Sequence, residues 1–331
     1  MALLEDIIKV ENLVVVYSDG TKAVDDVSFS VKTGEFFGFL GPNGAGKSTM
    51  IKTLTTLLHK TSGHVSVAGC DLDKSPREIR RSIGVLNQET SIDVDLTGRA
   101  NLYLQGRLQQ LHGEVLEQRT DELLKLVGLE NAAKKPAGRY SGGMRKRLDL
   151  ACALIHKPTL LFLDEPTTGL DAQSRIAIWE YLEDLNRNEG VTIFLTTQYL
   201  EEADRLCREL SIIDHGKLVA NGAPSELKAT VGGDKIALAL KDASMKTKTR
   251  EILKTIPGVN DVMDSDDGVV AYAKNAGQII AQVVTSLDRN GIQPSFLSIS
   301  SPTLDDVFLR ETGRQIRSEE LSRKETEPFL M

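Results

Sequence analysis

An α/β fold with a smaller α+β domain on its C-terminal side is what this sequence predicts, on three observations. Residues 35–40 form an apolar run that enters the loop Gly41-Pro42-Asn43-Gly44-Ala45-Gly46-Lys47-Ser48-Thr49 and continues into a helix-compatible stretch at 49–58. A second apolar run, 160–163, ends in two carboxylates, Asp164 and Glu165. Beyond residue 230 the pattern changes to strand, helix, two strands, helix and strand. Short apolar runs bounded by turn residues read as buried strands of a parallel sheet with both faces covered.

The loop at 41–49 fits G-x-x-x-x-G-K-[ST] in the strand–loop–helix setting that phosphate binding requires. Glycines without Cβ let the backbone curl so that successive N–H groups point at phosphate oxygens. The N-terminus of the following helix adds its positive dipole end. Lys47 would reach the outer phosphates, and the Ser48 hydroxyl would take a Mg²⁺ position. The motif implies a bound nucleoside triphosphate.

Ligands of such sheets bind beyond the carboxyl ends of the strands, so Asp164 and Glu165 are expected beside that loop. Asp164 suits Mg²⁺, which prefers hard oxygen ligands. Glu165, one residue on, is expected to polarise the attacking water as general base.

The stretch Tyr140-Ser141-Gly142-Gly143-Met144-Arg145-Lys146-Arg147 precedes that strand. Ser141 can cap a helix while Gly142 and Gly143 leave N–H groups open to an anion. With this motif in this order the chain resembles the ATP-binding-cassette (ABC) ATPases. The resemblance implies a P-loop NTPase cassette with a mixed sheet core and a helical subdomain at about 89–155. It implies ATP and Mg²⁺, and a second copy of the chain whose Ser141, Gly142 and Gly143 close over the γ-phosphate. Tyr17 matches the aromatic residue that stacks on adenine, although a tyrosine covering a strand edge is the plainer reading. Gln88 matches the glutamine that meets Mg²⁺. Asp171, in Gly169-Leu170-Asp171-Ala172, matches the loop crossing the dimer seam; it could instead cap the next helix, or do both.

At Thr196-Thr197-Gln198-Tyr199-Leu200 the chain departs from the pattern, since most members place His where Gln198 stands. Gln198 cannot carry a proton, though its amide can bond a phosphate oxygen or orient water. Glu165 is then the remaining general base. The same wording, with Leu96-Thr97-Gly98-Arg99-Ala100-Asn101-Leu102 and Pro302-Thr303-Leu304-Asp305-Asp306-Val307-Phe308-Leu309, is similar to the ATPases of daunorubicin-resistance-type exporters. The resemblance spans about residues 5–312. It implies export of drugs or other hydrophobic compounds through a separate multi-span membrane permease, with this chain peripheral on the cytoplasmic face. The alternatives are a non-transport ABC ATPase of DNA repair or translation, and a different P-loop enzyme such as a small-molecule kinase.

A length of 331 residues allows two domains. A net charge of −7 without a basic arm argues against nucleic acid as the main partner. Three scattered cysteines, Cys70, Cys152 and Cys207, suggest reduced thiols in a cytoplasmic protein. The acidic Glu5 and Asp6 do not suit a secretory signal, and no apolar run reaches the ~18–20 residues that span a bilayer. The cassette is expected at 1–229. An accessory domain of ferredoxin-like order β-α-β-β-α-β follows at 230–312, with a mobile charged tail at 313–331.

Overall fold

The structure is a computed structural model that describes residues 5–265 and 267–313. The chain divides into two compact units, the first ending at Gly222 and the second beginning at Ala223. The first opens with β1 (Asp6–Val16), β2 (Lys22–Lys32), β3 (Phe36–Leu40) and α1 (Lys47–Leu54). Next come β4 (Ser62–Val67), the short β5 (Cys70–Asp71), α2 (Pro76–Ser82) and β6 (Ile83–Leu86). A helical stretch follows: α3 (Gly98–Leu108), α4 (Gly113–Leu126) and α5 (Gly142–Ala153). The unit closes with β7 (Leu160–Asp164), α6 (Ala172–Glu189), β8 (Thr192–Thr197), α7 (Leu200–Leu206), β9 (Glu209–Asp214) and β10 (Lys217–Gly222).

Two sheets form this unit. One is antiparallel with order β2-β1-β4-β5; the other is mixed, with order β10-β9-β3-β8-β7-β6. In the mixed sheet β9, β3, β8, β7 and β6 are parallel and β10 is antiparallel to β9. Residue choice follows burial. β2 alternates inward Val24, Val27, Phe29 and Val31 with polar residues, whereas β3, β7 and β8 are buried at every position. Phe29 of β2 packs on Phe37, Phe39 and Phe194 of the mixed sheet at ring-centroid distances of 5.5, 5.6 and 6.0 Å. Each buried phenylalanine contributes roughly 1.5–3 kcal/mol, so this cluster sews the two sheets together.

Helix α1 differs from its expected span of 49–58, beginning at Lys47 and ending at Leu54. The threonines stop it: the Thr55 hydroxyl donates to the Ile51 carbonyl at 2.7 Å, and Thr56 adopts a left-handed φ of 65°. Helices α3, α4 and α5 pack on one another within the stretch expected to be a helical subdomain.

In the second unit the elements are α8 (Pro224–Thr230), β11 (Asp234–Ala239), α9 (Lys246–Lys254), β12 (Val259–Ser265), β13 (Gly268–Ala273), α10 (Ala276–Arg289), β14 (Phe296–Ser300) and α11 (Leu304–Thr312). Its sheet has order β12-β13-β11-β14, antiparallel throughout. Ile236, Leu238, Leu253, Val269, Ala271, Val283 and Leu287 form its core. The division between units lies upstream of the expected 229/230 boundary. Helix α8 packs on α11, where Arg310 donates to the Thr230 carbonyl, so the turn taken for the end of the cassette starts the next unit. From residue 314 onward the expected tail lies outside the described residues.

Candidate functional site

The loop between β3 and α1 is anchored at the carboxyl edge of the mixed sheet, where the Gly41 amide donates to the Thr197 carbonyl at 3.2 Å. Gly46 has φ 110°, and a Cβ there would come within 2.4 Å of the Ala23 carbonyl oxygen. Only glycine closes this turn. The Lys47 side chain is buried and folds back over the loop, donating to the carbonyls of Gly41 at 2.8 Å and Pro42 at 3.0 Å. Its ammonium also pairs with Glu165 Oε1 at 3.1 Å.

Strand β7 delivers the two carboxylates as expected. Asp164 Oδ1 accepts from the Thr196 hydroxyl at 2.6 Å and from the Ser48 hydroxyl at 3.3 Å. Glu165 takes φ 48°, uncommon for a residue with a Cβ, while its amide donates to the Thr196 carbonyl at 3.1 Å. Strain of this kind concentrates at working sites. Thr168 donates its hydroxyl to Glu165 Oε2 at 3.2 Å. A cleft of about 470 Å³ opens over these groups, with Tyr17, Asn43, Lys47, Ser48, Thr49, Gln88, Glu165 and Gln198 in its lining. The Tyr17 hydroxyl lies 3.0 Å from Thr49 Oγ1 with its ring partly exposed.

Ser48 Oγ and Asp164 Oδ1 form a hard-oxygen pair beside a polar cleft, and such a set suits Mg²⁺ completed by phosphate oxygens and water. The backbone amides of the loop and the start of α1 suit a phosphate chain. The residues present therefore fit both ATP and Mg²⁺.

Ser141, Gly142, Gly143 and Asp171 are not in the cleft lining. Ser141 caps α5 by accepting from the Met144 amide at 3.2 Å, and Ser141 and Gly142 are exposed. A Cβ on Gly143 would lie 2.7 Å from Ser174 Oγ, a hydroxyl that donates to Asp171 at 2.7 Å. Asp171 does cap α6, accepting from the Ser174 amide at 2.9 Å, and its carboxyl is held below the usual range by that bond and by the Ser174 hydroxyl.

Three comparisons bear on this arrangement. The family described as ABC transporter matches residues 24–168, and the one described as ATP-binding protein DrrA1-3-like, C-terminal domain, matches 222–312. The daunorubicin resistance ATP-binding protein DrrA2 of Streptomyces coeruleorubidus is 40% identical over 90% of this chain and 93% of its own. The chain belongs to the ABC transporter ATP-binding family. The Bacillus subtilis linearmycin resistance ATP-binding protein LnrL is 36% identical over 94% of this chain and 99% of its own. The Nod factor export ATP-binding protein I of Sinorhizobium fredii is 40% identical over 89% and 82%. Among solved structures, cbiO1 of Clostridium perfringens, part of the ABC transporter complex cbiONQ, superposes with TM-score 0.64 at 29% identity, covering 76% of this chain and 97% of that one. A dimeric post-hydrolysis state of the cassette MJ0796 bound to ADP and Pi gives 0.60 at 28% identity, covering 65% and 98%. The chain is thus an ABC ATPase with an α/β cassette.

Sequence reading missed several residues that this cassette uses. Thr196 fixes Asp164, and its place two residues before Gln198 at the end of a strand was the available signal. Glu202 is wholly buried in α7, accepting from Trp179 Nε1 and from the Thr167 hydroxyl, both at 2.8 Å. Burial pushes its carboxyl up despite those bonds. In the sequence it reads as one more helical glutamate.

Proposed function

We propose that this chain is the ATP-hydrolysing subunit of an exporter for drugs or other hydrophobic compounds. Two copies work with a separate membrane permease on the cytoplasmic face. Lys47, Ser48 and Glu165 in the lining of one cleft, with Asp164 accepting from Ser48 beside it, carry this reading. The similarity to daunorubicin-resistance, linearmycin-resistance and Nod factor export proteins supports the cargo class. The MJ0796 dimer and the cbiONQ complex support the two kinds of partner. Among the described residues no helix is long and apolar enough to cross a membrane. The strand order β12-β13-β11-β14 supports a ferredoxin-like accessory module.

In this reading the loop 41–49 cradles the phosphates while Tyr17 stacks on adenine. Lys47 exchanges its carbonyl and Glu165 partners for phosphate oxygens, which are stronger acceptors for an ammonium. That exchange frees Glu165 to take a proton from the attacking water. Ser48, Asp164 and Gln88 would hold Mg²⁺, which supplies charge neutralisation at the phosphates. Gln198, buried in the cleft wall, orients water or holds the γ-phosphate through its amide. The exposed Ser141, Gly142 and Asp171 face the second copy.

Glu165→Gln tests the reading. Fluorescent-nucleotide affinity stays within about three-fold while turnover falls at least hundred-fold, on the scale of losing a general base. The variant elutes as a dimer with ATP and Mg²⁺, and adding Ser141→Arg returns it to monomer. Undiminished hydrolysis removes Glu165 as base; a dimer that survives Ser141→Arg removes the signature loop from the interface.

A further inference from the structure

Lys146 lies on α5 just past the signature residues, and its side chain is buried at 9% exposure. Its ammonium donates to the main-chain carbonyls of Asn87 at 2.9 Å and Gln88 at 3.3 Å. One turn on, Asp149 is buried at 4% exposure and accepts from the Ser91 amide at 3.3 Å and from the Thr90 hydroxyl. The loop 87–91 is therefore gripped at both ends by one helix. A cation takes its carbonyls and a carboxylate takes its amide, so the charges match the peptide dipoles they meet. Apart from the Thr90 hydroxyl, the partners are main-chain groups, so most of the grip does not depend on which side chain occupies each loop position. Burying a charge is costly unless it is hydrogen-bonded, so both side chains are committed to this contact. Gln88 meanwhile lines the cleft, and the same helix begins at the Ser141 cap.

We infer that Lys146 and Asp149 are positioning residues, a two-charge strap that makes the placement of Gln88 follow the placement of helix α5. Lys146 is not itself in the cleft lining and reaches it only through the main chain of Gln88. Closure of a second copy on Ser141–Gly143 and the setting of Gln88 are then mechanically one event. The strap rests on the proposed role of Gln88, and its test separates the two.

Hydrogen exchange and steady-state kinetics on the full chain provide that test. In Lys146→Met, amides 88–91 exchange about ten-fold faster or more, the scale of losing a hydrogen bond to a charged group. The kcat for ATP falls by about ten-fold while KM stays within about two-fold, as expected when an interaction made in the transition state is loosened. Lys146→Arg, which keeps the donors, recovers most of both losses. Gln88→Ala combined with Lys146→Met lowers kcat no further than the worse single variant, because the two act in series. Wild-type exchange at 88–91, a rise in KM alone, or independent multiplication in the double variant overturns the strap. If Lys146→Met does not fold, Asp149→Asn must speed exchange at Ser91, and unchanged exchange there overturns it equally. A loosened loop together with wild-type kcat in Gln88→Ala overturns the role of Gln88 and leaves the strap standing.

Discussion

Lys47 in the first unit and Lys235 in the second each pair with a buried carboxylate, Glu165 at 3.1 Å and Asp306 at 2.5 Å. Around Asp306 every acceptor position is used. Tyr272 donates to Oδ1 at 2.9 Å, and the Thr303 amide and hydroxyl both donate to Oδ2 at 2.8 Å. The carboxyl caps α11 and ties it to the sheet. Burial pushes it up, but the bonds from Lys235 and Thr303 outweigh burial and hold it below the usual range. Around Lys47 the same charges border an open cleft, and the partner glutamate sits in a strained conformation. A saturated pair makes a joint, whereas a pair whose lysine can find better acceptors makes a binding site.

That contrast breaks most visibly at Lys47. Lys47→Ala removes the cation from the phosphates, and hydrolysis falls at least hundred-fold with loss of measurable nucleotide affinity. The unfolding midpoint of the first unit, followed by the single tryptophan Trp179, changes little by comparison. Retained turnover in a clean preparation would mean that Lys47 is a joint after all.

Asp306→Ala is the converse. It leaves Lys235 and Tyr272 without their acceptor, which costs about 3–5 kcal/mol of stability in the second unit. Denaturant-dependent hydrogen exchange in β11 and β13 reports that loss, while ATP turnover stays within about two-fold. A large fall in turnover with unchanged exchange would show that the network serves catalysis instead.

Gln198→Ala sharpens the comparison inside the cleft. Losing one hydrogen bond to a charged group in the transition state costs about 1.5–3 kcal/mol, so turnover falls roughly ten-fold or more while affinity changes less. Hydrolysis within two-fold of wild type would make Gln198 a bystander.

The smallest effect concerns pH. Among the described residues Glu202 forms no ion pair like that of Asp306, and burial pushes its carboxyl up despite its hydrogen bonds and the nearby charge of Arg175. Between the unfolded value of about 4.3 and the raised folded value, the folded chain keeps a proton that the unfolded chain releases. Stability therefore falls as pH rises through that window. Asp306 has the opposite sign: its contribution is present above about 3.9 and is lost as pH falls through its lowered folded value. Glu202→Gln, which cannot ionise, gains stability over wild type as pH rises from 5 to 8, read by Trp179 fluorescence during urea unfolding. A difference independent of pH would mean that Glu202 is ionised in the fold.

The loop that lines the cleft was legible in the sequence because its parts are local. A phosphate loop needs glycines, a lysine and a hydroxyl at fixed spacing on one strand-to-helix turn, and Gly41 through Thr49 carry all of them consecutively. Asp164 and Glu165 were legible for a similar reason, since an apolar run ending in two carboxylates puts them at the carboxyl edge of a sheet. Strand and helix order in the second unit could be read from periodicity, although the start of that unit could not. Whether α8 closes one unit or opens the next depends on its packing against α11, far away in the chain. The grip of Lys146 on residues 87 and 88, the hold of Thr196 on Asp164 and the burial of Glu202 were equally out of reach. Each joins side chains to groups tens of residues away, and no local pattern distinguishes such a lysine, threonine or glutamate from a solvated one. Backbone chemistry that depends on spacing is written in the sequence, while the satisfaction of buried charges is decided only when the sheets and helices meet.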